Sequence, residues 1–337
     1  MILVTGATGL VGAHLLLKLL QNNSDLAIKA TYRTETKKEY VNQWLKSKQP
    51  NLNLSKINWV KTSITDIPEL EKAFINCTHV YHCAGLVSFN PNDLEKLNKT
   101  NIEGTANMVN LALHFKVTKF IHVSSIATLG DPNSSGVITE DSNWNPEKYN
   151  GDYAISKNGG ETEVWRAINE GLNAVIVNPG VILGDGFWDA GSGEMFKQIN
   201  KGFSFYTKGS TGFVAVSDVV DIMIKLMEST TTNQRFILVE KSYSYQQILN
   251  TIANGLNKPK PRYYVSPFIT NIIWRINSLL NTLFKTKILL SKDTATSAHS
   301  LSNYSNDKII KELNYTFKNT NSYIKQLAEL YKKSTEN

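Results

Sequence analysis

The chain has 337 residues, a formal net charge of +7 and 41% hydrophobic residues. This length allows one large domain or two closely joined domains, and no apolar run is long enough to cross a bilayer. Cys77 and Cys83 are too few for a disulfide framework, and we expect a cytoplasmic protein without a signal peptide.

Six short, β-rich segments alternate with helical patterns over the first 180 residues, and a further strand follows near residue 235. Most are apolar on both faces, which is typical of parallel strands buried between two helix layers. We therefore predict an α/β fold with a doubly wound parallel (Rossmann) sheet of about seven strands. The predicted strands cover residues 2–5, 27–32, 57–60, 79–84, 120–125, 173–178 and 235–240.

After residue 180 the pattern becomes less regular, and residues 180–193 are expected to form a loop. We assign residues 1–180 to a cofactor domain, joined again by about 213–240. Residues 181–212 and 241–337 are assigned to a smaller capping subdomain that binds substrate.

The C-terminal quarter is basic, with 13 Lys+Arg against five Asp+Glu from residue 258 onward. We interpret this excess as a solvated surface and expect no nucleic-acid partner. Residues 268–284 have helical apolar periodicity, and Trp274, Arg275 and Lys285 fall in or beside them. We favour a buried lid helix here over one that rests on a membrane.

A glycine series lies between the first predicted strand and the first helix, in "VTGATGLVGAHLL". Gly6 allows a tight turn, Gly9 allows a pyrophosphate to approach the backbone, and Gly12 allows the helix to pack closely on the strand. This position at the start of a βαβ series makes the motif a strong indication of dinucleotide binding.

Arg33 is expected at the end of the second strand, where an acid would indicate NAD and a base NADP. Glu35 lies two residues further along, and Lys37 and Lys38 follow it. The planar guanidinium suits a 2′-phosphate, so we predict that NADP is preferred over NAD.

Five motifs in the same order, "TGATGLVG", "HCAG", "HVSSIATLG", "YAISK" and "NPGVILG", resemble the extended short-chain dehydrogenase/reductase superfamily. The similarity is strongest to the dihydroflavonol 4-reductase-like branch, with the 3β-hydroxysteroid dehydrogenases nearby. The resemblance implies Tyr153 as general acid or base, Lys157 as its neighbour that also binds ribose, and Ser125 as the substrate hydrogen-bond donor. Ser125 is preferred to Ser124 because its spacing from Gly130 matches the family.

The resemblance also implies which residues line the ligands. The cofactor residues would be Gly6, Ala7, Thr8, Gly9, Leu10, Val11, Gly12, Arg33, Ser63, Ile64, Cys83, Ala84, Gly85, Tyr153, Lys157, Pro179, Gly180, Val181 and Ile182. The substrate residues would be Leu86, Thr128 and Phe187. The six histidines show no metal-ligand spacing, and we expect no metal.

The chemistry of Tyr153 and Lys157 agrees with that resemblance, since residues four apart share one helix face. An ammonium about 4 Å from a phenol, at an effective dielectric near 20, favours the phenolate by about 4 kcal/mol. The predicted effect is to lower the tyrosine pKa from about 10 to near neutrality, where a general acid–base group works best.

The resemblance leaves three functions open. The first is reduction of a ketone or aldehyde by NADPH, which we favour. The second is a nucleotide-sugar epimerase or a 3β-hydroxysteroid dehydrogenase-type enzyme. Epimerases commonly carry an arginine before the segment matching "FVAVSDVV", whereas this chain has Thr211 and Gly212. The third is a non-catalytic NADP-binding protein. Dehydration is disfavoured because no Asp-Glu pair follows Ser125, and a homodimer is left open.

Overall fold

The computed structural model describes residues 1–22, 27–148, 150–284 and 290–336. These residues form twelve strands: β1 (Ile2–Thr5), β2 (Ile28–Tyr32), β3 (Ile57–Lys61), β4 (His79–His82), β5 (Lys119–Val123), β6 (Ala174–Pro179), β7 (Val181–Leu183), β8 (Phe205–Tyr206), β9 (Ser210–Ala215), β10 (Gln234–Leu238), β11 (Lys241–Ser244) and β12 (Tyr263–Tyr264).

The same ranges contain thirteen α-helices: α1 (Leu10–Gln21), α2 (Glu35–Lys48), α3 (Ile67–Phe74), α4 (Leu94–Leu97), α5 (Gly104–His114), α6 (Asp152–Asn169), α7 (Gly193–Asn200), α8 (Val216–Glu228), α9 (Tyr245–Gly255), α10 (Pro267–Phe284), α11 (Lys292–Ser297), α12 (Asp307–Leu313) and α13 (Thr320–Glu336). A π-helical segment, Asn98–Glu103, joins α4 to α5. Within these ranges no helix has both the length and the apolarity needed to cross a membrane.

The main sheet has seven parallel strands in the order β10-β6-β5-β4-β1-β2-β3. Consecutive residues of β1 face opposite helix layers. Val4 packs with the cluster around α1, α2 and α8, and Leu3 packs with the cluster around α3, α5 and α6. This two-sided burial explains the continuous apolar strands and confirms the predicted α/β fold.

The strand order reverses between β1 and β4, because the chain builds the sheet outward in both directions from β1. The carboxyl ends of these two strands therefore border a crevice, which is where ligands bind in doubly wound sheets. The segments following β1, β4, β5 and β6 all reach this edge of the sheet.

Two smaller sheets lie outside the main one: β11-β9-β7 and β12-β8. The expected loop at residues 180–193 is only partly a loop, since β7 pairs with β9 immediately after the kink at Gly180. That kink brings two backbones together, because a Cβ on Gly180 would lie 2.4 Å from the carbonyl oxygen of Gly212. A third apolar cluster, formed mainly by α7, α9 and α13, supports this part of the chain.

Helix α6, which carries Tyr153, packs closely on the π-helical segment. A Cβ at Gly160 would lie 2.3 Å from the backbone oxygen of Asn101, so only glycine allows this approach. The close contact fixes the distance between α6 and the segment that follows β4.

We predict that Gly160→Ala lowers the free energy of unfolding by at least about 1 kcal/mol, because overpacking against backbone outweighs the gain in helix propensity. Denaturant unfolding measures the change. Thr162→Ala, an exposed position on the same helix, is the control and should change stability by less than about 0.5 kcal/mol. A Gly160→Ala protein as stable as the parent would contradict the packing argument.

Candidate active site

The turn between β1 and α1 has the geometry that the glycine series predicts. Gly6 has φ +65, and a Cβ there would lie 2.6 Å from the backbone nitrogen of Ala84. A Cβ at Gly12 would lie 2.3 Å from the Gly6 oxygen, so helix and turn require glycine at both positions. Gly9 is exposed, and a Cβ there would meet only the Gly6 oxygen, at 3.4 Å. The turn thus leaves an open cradle at the N-terminus of α1, which fits a pyrophosphate.

The charged groups at the end of β2 differ in whether they have a partner. Arg33 is exposed and has no ion pair among the described residues. Glu35 instead accepts hydrogen bonds from Tyr32 Oη (2.6 Å) and Lys38 Nζ (2.6 Å). The hydrogen bond from Lys38 holds the pKa of Glu35 below its usual range. Arg33 is therefore available at the strand end, while the nearby acid Glu35 is already hydrogen-bonded.

The other residues expected along the cofactor follow β3, β4 and β6. Ser63 Oγ lies 2.9 Å from Thr65 Oγ1, and the Ile64 oxygen accepts a bond from Asn107. Cys83 and Ala84 continue from β4, and burial raises the pKa of the Cys83 thiol to about 12. Cys83 is therefore a protonated packing residue rather than a nucleophile. Pro179 ends β6, Gly180 forms the kink, and Val181 and Ile182 begin β7.

Ser125 and Tyr153 meet at the carboxyl edge of the sheet. The backbone of Ser125 follows β5, and its hydroxyl lies beside the Tyr153 phenol, where it favours the phenolate. Lys157 lies one turn further along α6, is 6% exposed, and donates from Nζ to the Val123 oxygen at 2.8 Å. A Cβ added to Gly85 would lie 3.7 Å from Lys157 Nζ, so Lys157 and the segment after β4 border the same crevice.

The pKa values of this group differ from the sequence expectation. Burial raises the pKa of Tyr153, and the Ser125 hydroxyl opposes that rise. The expected lowering by Lys157 is not seen, since the ammonium group is directed at the Val123 oxygen. Burial lowers the pKa of Lys157 to about 8, against a smaller effect of the Glu161 carboxylate. Tyr153 is thus a protonated phenol at neutral pH.

Ser124 and Thr128 belong to a buried network around Glu161. Glu161 Oε2 accepts from Ser124 Oγ (2.6 Å), Thr128 Oγ1 (2.7 Å) and Asn178 Nδ2 (2.8 Å). Glu161 Oε1 accepts from Arg235 at 3.1 Å and from Trp165 at 3.3 Å. Thr128 is fully buried and its hydroxyl donates to Glu161, so its predicted contact with substrate stays a prediction that finds no support in this geometry. The Ser124 hydroxyl also donates to Glu161, so Ser125 is the serine that faces Tyr153.

The remaining predicted substrate residues have different surroundings. Phe187 packs on Tyr40 and Trp44 of α2, with ring centroids 5.8 Å and 6.0 Å away. The role of Phe187 in substrate binding stays a prediction. Phe89 lies next to Tyr153, with its ring 5.6 Å from the Tyr153 ring and nearly half of its surface exposed. Leu86 lies between Gly85 and Phe89.

Asn101 was not identified from the sequence. It lies in the π-helical segment and is 3% exposed. Its side chain accepts from the Leu86 nitrogen at 2.7 Å and donates to the Leu86 oxygen and to Ser156 Oγ, both at 2.9 Å. Asn101 therefore holds the segment after β4 against α6. The only signal in the sequence is its position in the helix that follows "HCAG", which does not separate it from the neighbouring Asn98.

Groups that could bind a metal are not assembled here: within the described ranges, no three His, Cys, Asp or Glu residues form a candidate cluster. His82 and His122 are buried side by side, with ring centroids 5.2 Å apart. Burial lowers the pKa of His82 to about 3, so its imidazole is neutral and contributes to packing and hydrogen bonding.

Residues 2–238 match the NAD dependent epimerase/dehydratase family. The chain belongs to this family. It is an NAD(P)-dependent oxidoreductase of the extended short-chain dehydrogenase/reductase type, as the five motifs predicted.

Individual relatives include both reductases and epimerases. The chain is 28% identical to a putative dihydroflavonol 4-reductase of Synechocystis, over 77% of this chain and 73% of that protein. It is 27% identical to the UDP-glucose 4-epimerase of Vibrio cholerae, over 77% of this chain and 76% of that protein. The structure of the Thermus thermophilus UDP-glucose 4-epimerase in complex with NAD matches with a TM-score of 0.74, at 17% identity over 98% of both chains. This last similarity concerns the fold.

We predict a pH-dependent stability effect of Lys157. Its folded-state pKa, about 8, lies below the ordinary value of 10.5, so the buried charge destabilises the fold below pH 8. Between about pH 8 and 10.5 the unfolded chain binds the extra proton, and the stability of the parent therefore rises with pH. Relative to that of Lys157→Met, the free energy of unfolding of the parent should increase by at most about 3 kcal/mol across this window.

The measurement is denaturant unfolding of both proteins at pH 7.5 and pH 10.5, with the exposed Lys99→Met as control. The difference between two pH values is used because Lys157→Met also leaves the Val123 oxygen without its donor. A stability gap between parent and Lys157→Met that stays constant with pH would refute the assignment.

Proposed function

We propose that the protein is an NADP-dependent reductase of a ketone or aldehyde, in which Tyr153 donates a proton to the carbonyl oxygen. The observation that carries this proposal is the position of the Ser125 hydroxyl beside the Tyr153 phenol at the mouth of the sheet crevice, where it favours the phenolate. Two hydroxyl groups that meet in this way can both bond one substrate oxygen. NADPH, when bound, would supply the hydride that the carbonyl carbon accepts.

The protonation state of Tyr153 supports the direction of the reaction. A phenol with a raised pKa keeps its proton at neutral pH and is ready to act as an acid. Lys157 would have a positioning role towards Tyr153 and would bind the nicotinamide ribose on the Gly85 side of the crevice. Ser125 would orient the substrate carbonyl. Phe89 would form one wall of a hydrophobic substrate site.

The preference for NADP over NAD is part of this proposal. Arg33 would bind the 2′-phosphate, since it is the exposed cation without an ion pair at the end of β2, and Lys37 would lie beside it. Glu35 would not repel the phosphate strongly, because Lys38 compensates its charge. Residues 1–180 and about 213–240 would hold the cofactor, and residues 181–212 and 241–337 would close over the substrate.

A nucleotide-sugar epimerase is the second candidate, and the relative in Vibrio cholerae gives it weight. The surroundings of Gly212 count against it. A Cβ there would lie 2.6 Å from Val239 Cγ2, so this position has no room for the arginine that epimerases commonly use nearby. The cytoplasm suits the proposed reductase, because Cys77 and Cys83 are free thiols.

The test of the proposal is a panel of hydrophobic ketones and aldehydes mixed with protein and NADPH, followed by nicotinamide absorbance. We expect at least one compound to be reduced, and Tyr153→Phe to lower that rate by about 100-fold or more while NADPH still binds. Tyr264→Phe, an exposed position not assigned to the site, is the matched control and should keep the parental rate.

A parallel series with sugar nucleotides separates the two candidates. Epimerisation with a cofactor that never exchanges, together with no reduction of any carbonyl, would overturn the reductase proposal in favour of the epimerase. Full turnover by Tyr153→Phe would overturn the assignment of the proton donor. Binding of NADPH without turnover of either series would favour a non-catalytic protein.

A separate prediction concerns Arg33. Arg33→Ala should lower kcat/KM with NADPH by about 10-fold to 100-fold, because a charged hydrogen bond to phosphate contributes about 1.5–3 kcal/mol. The value with NADH should stay nearly unchanged, since NADH has no 2′-phosphate. Lys311→Ala, at an exposed position on α12, controls for the loss of positive charge. Equal losses with both cofactors would show that Arg33 does not select NADP.

A further inference from the structure

Helix α10 has its apolar residues on one side. With 3.6 residues per turn, they fall within an arc of about 140°. The seven residues of this apolar stripe are Phe268, Ile269, Ile272, Ile273, Ile276, Leu279 and Leu280. All seven are exposed, from 39% for Leu280 to 73% for Phe268. The expectation of a buried lid helix is therefore wrong for this stripe, and Lys285 lies outside the described residues.

The opposite side of α10 contacts the protein through polar side chains and the half-buried Trp274. Thr270 is buried, and its Oγ1 lies 2.9 Å from Nε2 of His299 beyond α11. Asn281 Oδ1 accepts a hydrogen bond from Asn92 at 3.2 Å. A surface helix of a globular protein normally turns its apolar face inward and its polar face to water. Helix α10 is oriented the other way round.

The exposed apolar surface continues beyond the helix. Strand β12 ends three residues before α10 begins and pairs with β8. Phe203, Phe205 and Tyr263 are exposed there, with ring centroids 5.9 Å and 5.8 Å apart along the series. We call the stripe of α10 together with these three rings the apolar face. A surface region with ten exposed apolar or aromatic side chains is typical of an interaction site.

The segment that carries α10 and β12 contains charged residues of one sign only. Residues 241 to 292 contain eight Lys+Arg and no Asp or Glu. Lys258, Lys260 and Arg262 are exposed next to β12, and the Arg275 guanidinium lies 4.8 Å from the centre of the Trp274 ring. Aromatic rings, an outward apolar stripe and flanking cations are the features of helices that lie in an anionic membrane surface.

We propose that the apolar face docks on the surface of an anionic phospholipid bilayer, with α10 lying in the plane of the interface. The cations would contact lipid phosphates, and the apolar stripe would enter the boundary between headgroups and acyl chains. A second copy of the chain fits this face less well. Residues 241 to 292 carry only positive charges, so the same segment of two copies would repel each other.

The position of α10 connects this surface to the crevice. Asn92, which bonds to Asn281, lies three residues after Phe89, whose ring contacts Tyr153. Helix α11, which packs on α10, places Asp293 Oδ2 3.1 Å from the backbone nitrogen of Asp152, next to Tyr153. On the basis of the proposed function, the substrate class would be a lipid-soluble ketone or aldehyde that enters from the bilayer.

Co-sedimentation with vesicles tests the docking without any assay of activity. The full chain is mixed with vesicles of phosphatidylcholine alone, or of phosphatidylcholine with 30% phosphatidylglycerol. We expect binding to the anionic vesicles that weakens in high salt, and a loss of about 10-fold or more for the double variant Ile276→Glu/Leu279→Glu. The matched control is Ile67→Glu/Ile75→Glu on and after α3, since those side chains are similarly exposed (50% and 47%, against 53% and 59%).

Each outcome decides for or against docking. Equal binding of the parent and the α10 variant, or a parent that stays in the supernatant with anionic vesicles, would overturn the proposal. A parent that is dimeric by light scattering, does not bind vesicles and becomes monomeric in the α10 variant would identify the face as an interface between copies. Circular dichroism of both double variants confirms that they are folded.

A second measurement tests the route of the substrate. We expect the α10 variant to lose about 10-fold in kcat/KM for a long-chain ketone held in anionic vesicles and to keep its rate with a water-soluble ketone. Equal losses with both ketones would overturn the route through the bilayer. If no ketone is reduced by the parent, the reductase proposal fails, while the sedimentation result on docking still stands.

Discussion

The buried carboxylate of Glu161 is the interaction on which the geometry of the site depends. It lies on α6, four residues after Lys157, and it accepts hydrogen bonds from four groups on three other segments of the chain. A buried charge is tolerated only when its lone pairs are satisfied, and here both oxygens are. Because the same helix carries Tyr153, the bonds to Glu161 fix the depth and rotation of the phenol relative to Ser125.

Two further contacts complete this arrangement from the other side of the crevice. Gly160 allows α6 to touch the π-helical segment, and Asn101 on that segment bonds to the backbone of Leu86. Helix α6 is thus held between the strand ends and the segment after β4. Burial of the crevice then controls its acid–base chemistry, keeping Tyr153 protonated and lowering the pKa of Lys157 to about 8.

The fold could be read from the sequence because its signals are local. Parallel strands buried on both faces give continuous apolar segments, and a glycine turn at the start of a βαβ series has few other uses. The roles of Glu161, Asn101 and Thr128 could not be read in the same way, since they depend on which side chains meet across the sheet. Helix α10 was misread for a related reason: its periodicity defines an apolar stripe but does not say whether the stripe faces protein or solvent.

Because Arg235 lies late in the chain, it determines when the Glu161 network can be completed during biosynthesis. The guanidinium that neutralises Glu161 comes from β10, which follows β6 only after more than fifty intervening residues. Until β10 has been synthesised, the Glu161 carboxylate therefore lacks its guanidinium partner. The hydrogen-bond network around α6 is completed only when this strand joins the edge of the sheet.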